Sequence, residues 1–139
     1  MTPEQREPIE YFVRVTLGCK CPDEVFQQVA VEPDQHADAR MPFTRLTIGD
    51  RLLIFVLEAT ADRGSGRAAE QLTELGRKER DARNLNRFRL VVATEHPTQL
   101  LERVQARFAS AADGDERCHL HVLATDQLPA AVRATREPA

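Results

Sequence analysis

Apolar and polar positions first alternate at residues 11–17, where Tyr11, Val13, Val15 and Leu17 interleave with Phe12, Arg14 and Thr16. A period of two predicts a strand over 10–18 with one better-buried face. Pro22 then suits a first helical position, and Asp23 and Glu24 suit a first turn. Val25, Phe26, Val29 and Ala30 give this short helix an apolar stripe, and Glu32-Pro33-Asp34 ends it. A polar loop through His36 follows. The runs 43–48 and 51–58 flank Gly49-Asp50, a two-residue turn signal, and predict a hairpin. The second arm is apolar at both parities and is expected in the middle of a sheet. The first arm carries Arg45 and Thr47 on one face and reads as an edge.

A long helix is expected from Arg63-Gly64-Ser65-Gly66-Arg67 to about Asn84, with Ala68, Leu72, Leu75, Ala82 and Leu85 on its apolar face. Glu79 and Arg83 form an i,i+4 pair on it, and Gly76 costs it about 1 kcal/mol against Ala. A strand over 88–94 leads through His96-Pro97 to a helix whose stripe is Leu100, Leu101, Val104 and Phe108. Asp113-Gly114-Asp115 breaks that helix, and a last strand runs over 118–124. The order β-α-β-β-α-β-α-β predicts an α/β (α+β) domain. Its first six elements match a ferredoxin-like βαββαβ plait, with a helix and a strand appended. The alternative is a small doubly wound parallel unit built from Arg51 to Ala124. Residues 1–9 read as a polar N-terminal tail, 10–126 as a single domain and 127–139 as a C-terminal tail.

Composition narrows the function classes. The chain has 139 residues, a net charge of −3, no Trp and one Tyr. There is neither the overall basic charge nor the stacking surface expected of a nucleic-acid binder. The longest apolar run, Leu52 to Leu57, is too short to span a bilayer, and the N-terminus carries no signal-peptide apolar segment. The expectation is a cytoplasmic protein with no membrane partner. Three cysteines in that compartment argue against a disulfide framework.

Two of those cysteines carry the chemistry. Cys19 and Cys21 fall where the first strand is expected to hand over to the first helix. If Pro22 opens that helix, Cys21 is its N-cap and its sulfur lies near unpaired amides at the positive end of the dipole. Lys20 adds positive charge, while Asp23 and Glu24 oppose it. The expected result is a modest depression of the Cys21 pKa. Residues i and i+2 on an extended segment face the same side, with Cα atoms about 6–7 Å apart, near the upper limit for a disulfide. Such a pair suits a soft metal, Cu(I) or Zn(II), with an outside ligand or a second chain completing the shell. It also suits a labile dithiol/disulfide couple. Plain packing is the third reading, since free cysteine is among the most buried residue types.

The stretch Thr16-Leu17-Gly18-Cys19-Lys20-Cys21, in the first loop of a plait, resembles the heavy-metal-associated domain family. That family carries Met-x-Cys-x-x-Cys in this loop; here the Met is missing and the spacing is one residue shorter. A cysteine pair between strand and helix is also similar to the thioredoxin-like oxidoreductases, with Pro42 standing where their cis-proline precedes a hairpin.

Three further features bear on function. His119 and His121 share one face of the last strand, opposite Cys118, Leu120 and Val122, and two imidazoles at that spacing can share a metal. Were that strand to lie near the first loop, a histidine would join Cys19 and Cys21. Residues Arg63, Gly64, Ser65, Gly66 and Arg67 lie between a buried strand and a helix, where free amides and two arginines can cradle a phosphate. This stretch lacks the full glycine spacing and the lysine of established phosphate loops. Finally, Arg77, Lys78, Arg80, Arg83, Arg87 and Arg89 outnumber Glu79 and Asp81, and this local patch reads mainly as a solvated helix face laced with ion pairs. The functional expectation is a small thiol-dependent accessory protein, metal-binding first and redox second. The third reading is a non-catalytic module holding an anionic ligand or a protein partner, a second copy of the chain included.

Overall fold

The computed structural model describes residues 3–20, 22–36, 41–59 and 65–133. One five-stranded mixed sheet organises the chain: β1 (Val29–His36), β2 (Met41–Ile48), β3 (Leu52–Glu58), β4 (Arg87–Thr94) and β5 (Cys118–Ala124). The strands lie side by side in sequence order. β1, β2 and β3 form an antiparallel meander, whereas β3, β4 and β5 run parallel. The helices α2 (Ser65–Ala82) and α3 (Pro97–Ala112) make the two parallel crossovers and pack on each other. Helix α1 (Pro3–Tyr11) continues into a wider π-helical turn, Phe12–Thr16, and a 3-10 turn spans Asp23–Gln27.

This sheet does not have the plait's arrangement, in which sequence neighbours are interleaved. The physical reason lies at the N-terminus. The segment read as a first strand is helical, so the sheet begins one element later. The buried positions Ile9, Phe12, Val13 and Leu17 recur at helical spacing, while Tyr11 and Val15 are exposed. The β-branched residues of 13–16 favour a strand locally; burying one helical stripe overrides that preference. The next expected helix is likewise only a 3-10 turn, and Val29 and Ala30 already belong to β1. β1 carries Pro33 and takes the edge. β2 is therefore internal, and its Arg45 bridges Asp34 of β1 and Glu79 of α2 at 2.6 and 2.9 Å. From β3 to β5 the strands and helices alternate as expected from Arg51 to Ala124, but both crossover helices pack on the same face and the strand order does not reverse, so the unit is not doubly wound.

Alternation along β3 and β4 divides the interior in two. Leu53, Phe55, Leu57, Phe88, Leu90 and Val92 pack with α2 and α3. Ile54, Val56, Val91 and Ala93 pack on the other face with Ile9, Phe12, Leu17 and Phe26. Residues expected in flanking tails contribute here, since Ile9 and Val132 are fully buried. Among the described residues, no helix is long and apolar enough to cross a membrane.

The α2 side is fastened by charge as well. Arg80, 2% exposed, meets Asp115 at 2.7 Å, and Arg77 reaches the same carboxylate at 3.2 Å. The Arg80 hydrogen bond holds the Asp115 carboxyl at about 2. Gly76 is explained by contact rather than by helix propensity: a Cβ there would meet the Phe88 ring at 2.3 Å. Gly76→Ala is expected to destabilise by about 1–3 kcal/mol through overpacking, despite the better helix former. Urea unfolding checks this; an unchanged or raised midpoint contradicts the close approach of α2 to β4.

Candidate functional site: a cationic cavity beside Cys19

The helical N-terminus ends at Gly18. Its φ of +72° lies in the left-handed region, where Gly carries no steric penalty. Leu17 N–H donates to Phe12 O at 2.9 Å, and Cys19 N–H reaches back to Val13 O at 3.0 Å. The backbone approaching Cys19 is thus held by wide helical turns, and Cys19 itself is half-buried. The Cys19 sulfur is disulfide-bonded, and Cys118 is the free cysteine among the described residues. Cys21 lies outside the described residues. The N-cap of the following 3-10 turn is Pro22, not Cys21. That turn has five residues, too few for a useful dipole, so the helix-start argument for a stabilised thiolate falls. Asp23 turns instead to Arg14, whose guanidinium also stacks 4.8 Å from the Phe26 ring centroid.

What surrounds Cys19 is the sheet face opposite α2 and α3. On this face β4 presents Arg87 and Arg89, and β5 presents His119 and His121. Arg87 Nη1 donates to His119 Nε2 at 2.9 Å, and Arg89 Nη1 to His121 Nε2 at 2.8 Å. A guanidinium has no acceptor, so each imidazole uses its Nε2 lone pair here and carries its proton on Nδ1. The same Arg89 nitrogen reaches the Leu17 carbonyl at 3.3 Å. One side chain therefore ties the chain just before Cys19 to β4 and, through His121, to β5.

The histidines are consequently close to the first loop, as a shared metal site requires, but a cation stands between. Among the described residues, no group of three or more His, Cys, Asp or Glu side chains is arranged to hold a metal. Burial, then Arg89 and His119, lower the His121 pKa to about 4. Burial and the two arginines lower that of His119 as well.

Cys19 opens onto a cavity of about 340 Å³ whose wall includes Lys20, Arg51, Asn86, Arg87 and Arg89. Among the described residues, the lining contains no carboxylate. Arg51 comes from the turn before β3, and its carbonyl accepts from the N–H groups of Asn86 and Arg87, which brings the starts of β3 and β4 together. Cys118 is remote from this chemistry. It lies in the α2/α3 core on the other face, and burial, reinforced by Asp115, pushes its thiol up to about 11.

Other expected features fall elsewhere. Arg63 and Gly64 lie outside the described residues. Ser65 begins α2 and Arg67 is exposed on it. A Cβ at Gly66 would meet the Arg107 and Arg103 side chains at 3.1 and 3.2 Å, which gives that glycine a packing reason. The basic stretch 77–89 is not one face: Arg77, Arg80 and Arg83 meet carboxylates, while Arg87 and Arg89 point to the opposite side of the sheet. Pro42 lies within β2, and no peptide bond among the described residues is cis. The sequence pattern does not single out Arg51, and it reads Arg87 and Arg89 as part of a solvated helix face, whereas they stand on β4 beside Cys19. The available signal was two arginines at i,i+2 in an otherwise apolar strand.

The depressed His121 pKa sets a pH dependence. The unfolded imidazole takes a proton near 6.5 and the folded one only near 4. The unfolded state binds the extra proton between these values, so stability is full above 6.5 and falls as pH drops toward 4. His121→Gln keeps an acceptor for Arg89 without titrating. Calorimetry between pH 7 and 4.5 should show a smaller fall in Tm for this variant than for the parent; parallel curves contradict a neutral, Arg89-bound His121.

Compared with protein-family models, curated proteins and solved structures, the chain matches none.

Proposed function

We propose that this protein is a small dithiol/disulfide exchange protein whose redox couple is Cys19 and Cys21. The observation that carries the reading is a disulfide-bonded, half-buried Cys19 at the mouth of a cavity walled by Lys20, Arg51, Arg87 and Arg89. The chain has three cysteines and Cys118 is free on the far face of the sheet, which supports Cys21 as the partner. Neighbouring cations favour thiolate over thiol and favour departure of a thiolate from a disulfide. A soft-metal site is the weaker use of the same pair, because the nearest imidazoles already accept from guanidiniums.

The exchange balances without further groups. In the reduced protein the Cys19 thiolate attacks one sulfur of a substrate disulfide. A Cys19–substrate bond forms, the substrate S–S bond breaks and one substrate thiolate leaves. The Cys21 thiolate then attacks the Cys19 sulfur and expels the second substrate thiolate. Two electrons pass from protein to substrate, and the two cysteine protons end on the product thiols. A low-molecular-weight dithiol reverses the change.

Mild oxidation of the reduced protein with diamide, then alkylation and peptide mapping, tests this. A Cys19–Cys21 cross-link is expected, with Cys118 alkylated only after unfolding. In Cys21→Ser, an aryl disulfide should leave a stable adduct on Cys19. Cys118 in the cross-link, or three unchanged thiols, overturns the reading.

A further inference from the structure

We infer that the cavity beside Cys19 recognises small anionic disulfides, a carboxylate or like anion of the substrate being clamped by Arg51, Arg87 and Arg89 while its S–S bond meets the Cys19 sulfur. The inference rests on the exchange reading for its substrate, but the anion site stands on its own geometry.

Arg89 is the key residue. It is only 9% exposed, and its Nε is buried with no hydrogen-bond partner among the described residues. Its hydrogen bonds go to a carbonyl and an imidazole, both neutral. Burial, and then the charge of Arg87, lower its pKa, and no carboxylate among the described residues opposes them. An unneutralised buried cation is costly, and a buried donor without a partner adds to that cost. Elsewhere the chain avoids that cost: Arg45 meets Asp34 and Glu79, and Arg80 meets Asp81 and Asp115. Beside Cys19 the pattern reverses. Arg51, Arg87 and Lys20 join Arg89 around one cavity, and none of them has an ion pair among the described residues. An anion entering here neutralises the cluster and meets guanidinium forks suited to a carboxylate. The cavity volume, about 340 Å³, fits a small molecule.

Three disulfides of similar size and different charge test the assignment: dithiodiglycolate (anionic), 2-hydroxyethyl disulfide (neutral) and cystamine (cationic). Each oxidises the reduced protein, followed by loss of free thiol in stopped flow. At low salt dithiodiglycolate should react about tenfold faster than the neutral disulfide, and cystamine slowest, with the spread collapsing in high salt. Arg51→Gln and Arg87→Gln should slow the anionic disulfide several-fold more than the neutral one, whose rate falls only through the weaker support for the thiolate, so that the ratio of the two rates shrinks, which a misfolded loop would not produce. Equal rates for the three, or equal slowing of all three in the variants, overturns the anionic specificity. Failure of every disulfide to oxidise Cys19 overturns the exchange reading instead. The anion site is then judged by glutarate, which should raise the Tm of Cys19→Ser/Cys21→Ser but not of the same protein carrying Arg51→Gln and Arg87→Gln. No rise in either removes it.

Discussion

The Arg89 guanidinium is the contact on which the candidate site depends. It holds the Leu17 carbonyl from below and His121 from the side, and it carries a charge that the described residues do not neutralise. The other contacts of this segment with the sheet are apolar ones of Ile9, Phe12, Val13 and Leu17. A polar anchor buried in an apolar face fixes position, because displacing it strands a charge away from water. The same anchor gives the cavity its sign.

Two layers of packing make that anchor available. α2 and α3 cover one face of the sheet with aliphatic and aromatic contacts and with the Arg80–Asp115 pair, so the buried Arg80 has its charge matched. The helical N-terminus covers only part of the other face. Where it ends, at Gly18, the starts of β3 and β4 remain open to the cavity. The parallel register sets Arg89 beside His119, and Val91 beside His121, which lets two arginines and two histidines alternate along one surface. Function in this account sits at the seam between a well-filled core and an incomplete cover.

The β2–β3 hairpin and the parallel strands after it were legible in the sequence because they rest on strong local signals: the Gly49-Asp50 turn, the doubly apolar β3, and α3 bounded by Pro97 and Asp113-Gly114. The N-terminal half was misread because β-branched Val13, Val15 and Thr16 imitate a strand, whereas tertiary burial selects the helical stripe Ile9, Phe12, Val13 and Leu17. The error propagated, since the plait needed that first strand. The sequence singled out Cys19 and Lys20 through an expected helix start; the further cations beside Cys19 come instead from β4 and the turn before β3. Placing Arg51 and Arg89 beside Cys19 requires knowing that strands distant in sequence are neighbours, which residue pattern does not encode.

Crystals grown in sodium bromide, with anomalous diffraction at the bromine edge, examine the central claim most directly. A bromide peak within hydrogen-bond distance of Arg89 and of Arg51 or Arg87, beside the Cys19 sulfur, is the predicted result. An aspartate or glutamate of the chain folded onto Arg89, with no halide in the cavity, would contradict it.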